Sequence, residues 1–187
     1  MIIYKEGDLF TTTKGDDDKW GELVPLSKKI NGKKSFESHA CLSEDETLII
    51  FSSNNGVDNE NLDLFYAVKD SKGEWGEPKP ITVLNTPQNE DSPYLSSDGT
   101  LYFSSEGHSS IGGYDIYKSV FDASNTSWAP PQNMGYPINS VMDDIFFTKE
   151  GEIGYMTSNR PDSYGKEDIY RVYMFSKVNL EGTIVNK

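Results

Sequence analysis

Residues 90–121 read EDSPYLSSDGTLYFSSEGHSSIGGYDIYKSVF. Two short apolar-alternating runs, SPYLS and TLYFSS, flank Ser97-Asp98-Gly99. Asp and Gly close tight turns because Asp bonds nearby backbone and Gly takes a left-handed φ without steric cost. The pair is therefore expected to be an antiparallel hairpin. The loop EGHSSIGGY leads to a third run, DIYKSVF, and after an Asn125-Thr126-Ser127 turn comes an outer strand around Trp128 and Pro131. Four short strands, here named a to d, make one small antiparallel sheet.

That unit recurs. Asp followed by an aliphatic and an aromatic residue stands at Asp8 (GDLF), Asp63 (LDLF), Asp115 (YDIY) and Asp168 (EDIY), 55, 52 and 53 residues apart. Trp20, Trp75 and Trp128 follow three of these at 12 or 13 residues. Ahead of the last three motifs, apolar runs end in Ser52-Ser53, Ser104-Ser105 and Thr157-Ser158. Independent landmarks sharing one period identify a repeat architecture. A four-stranded meander repeated every fifty-odd residues predicts an all-β fold, the β-propeller, with one meander per blade. The 11 Tyr and 9 Phe suit such a core, and no stretch of 12 residues shows a helical period.

The order of residues from Glu90 to Asn139, with SSDGTLYFSS, GGYDIY, the Trp and a closing I-N, resembles the WD40-like propeller repeats of the TolB type. It is most similar to those of Bacteroidota cell-envelope proteins related to the outer-membrane protein A family. The first full repeat departs from the pattern at Glu44-Asp45-Glu46, and the last carries Phe146 where the second has Pro93. The resemblance spans residues 1 to about 175. It implies a non-catalytic binding or scaffold module, periplasmic and outer-membrane-associated, with envelope proteins or peptidoglycan-associated components as partners and secretion machinery among its settings. The tail 177–187 resembles the first strand of a following regulatory-like domain, or a linker.

The units divide the chain into the outer half of a blade (1–36), blades at 37–89 and 90–142, and an incomplete blade at 143–176. About three and a half blades do not close a ring, since propellers close with four to eight. The expectation is therefore part of a six- or seven-bladed ring, completed by other blades of the same propeller or by a second copy.

A formal charge of −13, from 30 acidic and 17 basic residues, opposes nucleic acid and anionic membrane surfaces as partners. No stretch approaches 18 apolar residues, and the start MIIYKEGDLF lacks the pattern of a signal peptide. Cys41 has no disulfide partner and is expected as a buried thiol.

The b–c and d–a loops share one face and are the longer, more varied connections, so that face is the expected binding surface. Its candidate contacts are Asn54, Asn55, Asn89, Glu90, His108, Arg160 and Tyr164. His108 among serines raises a nucleophile-and-base reading. Yet the serine pair recurs at Ser52-Ser53 with no histidine near it, so no catalytic residue is assigned. Gly112-Gly113 precedes a strand, which removes the helix N-terminus a phosphate loop needs, and these glycines are expected to supply positive φ. Asp63, Asp115 and Asp168, like Trp20, Trp75 and Trp128, recur by unit and are expected to build architecture. No metal or other cofactor is expected. Calcium is the exception the loop NNGVDNEN admits, through Asn54, Asn55, Asp58 and Glu60, although the twelve-residue pattern is incomplete. The runner-up is a propeller enzyme, or a domain attached to one, acting on glycans or peptides. It needs non-repeating carboxylates on the inner strands.

Overall fold

A computed structural model describes residues 1–54 and 61–174; Asn55, Asp58, Glu60 and the tail 177–187 lie outside them. Every regular element described is a strand, and the strands form four antiparallel sheets. Sheet 1 runs β1 (Ile2–Lys5), β2 (Asp8–Thr11), β3 (Val24–Pro25). Sheet 2 runs β4 (Glu37–Leu42), β5 (Leu48–Ser53), β6 (Asp63–Val68), β7 (Lys79–Pro80). Sheet 3 runs β8 (Glu90–Leu95), β9 (Thr100–Ser105), β10 (Asp115–Asp122), with β11 (Ser127–Trp128) and β12 (Gln132–Asn133) both on the outer edge of β10. Sheet 4 runs β13 (Asp144–Glu150), β14 (Ile153–Ser158), β15 (Asp168–Tyr173). The fold is all-β, a series of propeller blades.

Residues 1–36 hold more than the outer half of a blade. Ile2–Lys5 pairs with Asp8–Thr11 in a tight register across Glu6-Gly7, which have φ of 55° and 92°. Two positive φ values in a two-residue connection give the turn whose twist matches paired strands. The run IIYK is too short to declare itself as a strand without that partner.

Consecutive sheets face one another across three apolar cores. Leu9 of β2 meets Phe51, Phe65 and Trp75; Leu64 of β6 meets Phe103, Tyr117 and Trp128; Ile116 of β10 meets Phe147 and Met156. Because strands b and c of sheets 2 and 3 are covered on both faces, their sequences hold near-continuous apolar runs such as LIIF and LYF. Each fully buried side chain of this size contributes about 1.5–3 kcal/mol.

Polar bonds repeat at the same junctions. The backbone N–H of Glu37, Glu90 and Asp144 donates to the carbonyl of Gly7, Leu62 and Tyr114, the residues just before the motif aspartates of the preceding sheet. Asn31, Asn85 and Asn139 clamp strand c from the d–a connection. Each accepts from the N–H and donates to the carbonyl of one residue, Leu9, Leu64 or Ile116, at 2.8–3.1 Å. An amide side chain thus replaces one rung of a strand that is not there. Among the described residues no strand contact joins β1 to β13, so the four sheets form an open arc.

Candidate functional site

The loop face is built mainly of mutual loop contacts. His108 lies against Phe103 and Tyr117 and its Nε2 sits 2.7 Å from the Leu84 carbonyl, which makes that nitrogen the donor. Its φ is 53° and that of Ser109 is 65°. The left-handed turn expected of the glycines is therefore made by these two residues. Gly112 and Gly113 are needed for close approach instead. A Cβ at Gly112 would stand 2.4 Å from the Val141 backbone, and one at Gly113 would stand 1.9 Å from Asp143 Oδ1.

Arg160 is turned inward. Its guanidinium binds Asp144 Oδ1 at 2.8 Å, donates to the carbonyls of Pro137 and Ile138, and stacks over Tyr170. Asp144 is fully buried. Removing the arginine would strand a buried carboxylate, so Arg160→Ala probes folding and not binding. Tyr164 is fully exposed, and its backbone N–H donates to Asp168. Asn54 Oδ1 accepts from Phe36 N–H, and Asn89 bridges Leu62 N–H and Glu106.

The acids that open strand a also bond within the architecture. Glu90 accepts from Ser105 Oγ and from Thr86 N–H and Oγ1, while Glu37 accepts from Ser53 Oγ. Burial pushes both carboxyls above the usual range, against these hydrogen bonds. Asp115 takes the Ile111 N–H and Asn133 Nδ2; Asp168 takes the Tyr164 N–H, and Asp63 lies half-buried at the same strand start. Trp75 and Trp128 are buried against the preceding sheets, and Trp20 is exposed.

The inner strands hold a second group, which the candidate contacts read from the sequence do not include. Each strand a slips register at the same place: between Glu37 and Ala40, Asp91 and Tyr94, and Ile145 and Thr148. Such a bulge re-aims side chains. Ser92 and Phe146 adopt φ of 54° and 57° there, a strained conformation for residues other than glycine. The bulge positions are occupied by different residues in each blade: Ser38-His39, Ser92-Pro93 and Phe146-Phe147. They converge on a cavity of about 250 Å³ that Tyr4 and Tyr94 also line.

Asp91 is the centre of this group. Both of its oxygens lie 3.1 Å from His39 Nδ1, Oδ2 accepts from Ser38 Oγ at 3.1 Å, and Oδ1 accepts from Ser92 N–H at 2.7 Å. Burial would raise the carboxyl, but the hydrogen bond and charge of His39, with further contributions from Ser52 and Ser92, outweigh it and hold Asp91 below the usual range. The His39 ring meets Phe146 edge-on at 4.7 Å. With Nδ1 held by the carboxylate, Nε2 is the nitrogen left to offer. Ser38, His39 and Asp91 do not make a nucleophilic triad. Ser38 Oγ lies 2.8 Å from Nδ1, the same nitrogen that faces Asp91. A triad requires serine and aspartate on opposite ring nitrogens. The arrangement can hold a ligand against His39 and the aromatic wall, and it cannot activate Ser38.

No protein-family model matches the chain. No curated protein matches it either. Among solved structures, a thermostable family-43 glycoside hydrolase resembles it with a TM-score of 0.49 and 16% identity, over 95% of this chain and 72% of that one. Cys41 borders the cavity, and burial pushes its thiol up to about 12, which makes it a poor nucleophile.

Proposed function

We propose that this chain is a non-catalytic binding and scaffold module of a β-propeller in the cell envelope, periplasmic and associated with the outer membrane. Its partners in this reading are envelope proteins or peptidoglycan-associated components. The TolB-type repeat pattern from Glu90 to Asn139 supports the setting. The observation that carries the non-catalytic part is the use of the inner acids. Glu37, Glu90 and Asp144 bond to Ser53, to Ser105 and Thr86, and to Ser140 and Arg160. Glycan hydrolysis takes two carboxyl groups flanking the scissile bond, one of them free to give up a proton. Asp91, which follows Glu90 on the same inner strand, is bound to His39.

Two measurements on the purified chain test this reading. Co-sedimentation with isolated peptidoglycan sacculi should retain the protein, and incubation with glycan and peptide substrates should give no turnover. Absence of retention would remove peptidoglycan from the partners. Turnover that disappears in Glu90→Gln or Asp91→Asn would replace the scaffold with the runner-up, a propeller hydrolase.

A further inference from the structure

The two ends of the arc carry complementary deficits. On the leading face of each sheet, one strand-c residue is sealed by the sheet that follows: Leu9, Leu64 and Ile116 are all 0% exposed. The equivalent residue of the last sheet, Ile169, is 77% exposed. Strand b repeats the contrast, since Ile50 and Tyr102 are 1% and 5% exposed and their counterpart Tyr155 is 46%. On the trailing face, Trp75 and Trp128 are 9% and 8% exposed against the preceding sheet, whereas Trp20 of the first sheet is 52%. The same side chains that make the three internal junctions thus stand uncovered at both ends.

We propose that a second copy of this chain docks head to tail, the leading face around Ile169 of each copy covering the trailing face around Trp20 of the other. The occupant follows from the repeat. A leading face fits a trailing face in all three internal junctions, and one chain presents one of each, free. Two copies related by a two-fold axis satisfy all four ends and close a ring of eight sheets, within the range propellers form. Apolar patches of this kind on a blade are otherwise a liability to association in any orientation. Among the described residues sheet 1 has no strand at the a position, so the new junction lacks the inner strand's share and is weaker than an internal one. The charge of −13 on each copy opposes the pairing, so added salt strengthens it. The proposal is independent of what the module binds.

Sedimentation velocity from low micromolar to several hundred micromolar reads the outcome. The expected result is a dimer of twice the chain mass, favoured by salt, with Ile169→Asp and Trp20→Glu each monomeric and each retaining the wild-type circular dichroism spectrum. An equimolar mixture of the two variants regains one intact junction, so partial dimer should return. A wild type that stays monomeric throughout the range overturns the proposal. Dimerisation abolished by Ile169→Asp but untouched by Trp20→Glu also overturns it, because that pattern means like faces meet. If the variants are unfolded, hydrogen exchange of the wild type across the same concentrations decides: protection must rise at β15 and around Trp20 together.

Discussion

At the scale of the residue, the repeat separates side chains that build from side chains that differ. Asn31, Asn85 and Asn139 are interchangeable, each holding a strand-c backbone by two bonds. The pair I-N or L-N that marks them was visible in the sequence. Its meaning was not, because the partner backbone lies 21 to 23 residues away. His39 and Asp91 have no such counterparts, and their bond has a measurable sign. Asp91 is held below its ordinary value by His39, so its contribution to stability is complete above about pH 4, the unfolded value, and is lost as pH falls through the depressed one. In His39→Ala burial is opposed only by the remaining hydrogen bonds to Asp91, such as that from Ser92 N–H, and the carboxyl rises. The expected outcome is a weaker acid limb in urea midpoints measured between about pH 3 and about pH 7. Equal slopes for the wild type and the variant would mean that the pair carries no linkage.

At the scale of the element, the loops are tied to one another more than they are opened to solvent. The sequence suggested a varied binding face, and several of its candidate residues proved to be ties within it. Gly112 rests on the Val141 backbone, and Tyr114 N–H donates to Asp143 in the same contact. Backbone cannot retreat as a flexible side chain can. Gly112→Ala is therefore expected to cost about 1–3 kcal/mol, read as a lower urea midpoint with unchanged slope. Gly99→Ala is the contrast, since nothing stands within 4 Å of its Cβ position and only the φ of 80° is strained. A null effect at Gly112 would mean that the loop is not seated on the d–a connection. The bulges of strand a were hidden for a related reason. Alternation along ESHACL or EDSPYL looks regular until pairing shows where one strand gains residues against its neighbour.

At the scale of the whole molecule, sheets 2 and 3 have neighbours on both faces while sheets 1 and 4 have one each. In a linear stack, stability is the sum of each unit and its junctions, so the ends open first. Amide hydrogen exchange at low protein concentration should show β5 and β9 protected most, with β1 and β15 exchanging faster. Uniform protection would contradict an open arc. The sequence by itself determined the all-β fold, its period and the strands after Ile2–Lys5, because alternation and turn chemistry are local and repeat every fifty-odd residues. Recurrence also drew attention to Asp115 and Asp168, whose carboxylates take loop N–H groups ahead of their strands. Only the tertiary structure decided which residues meet on the inner strands. His39 and Asp91 lie 52 residues apart, one blade from the next, and a bulge turns His39 toward the cavity while Asp91 holds its ring from the neighbouring strand. Register slips and inter-sheet packing are set by the sum of many contacts, and no short stretch of chain carries that sum.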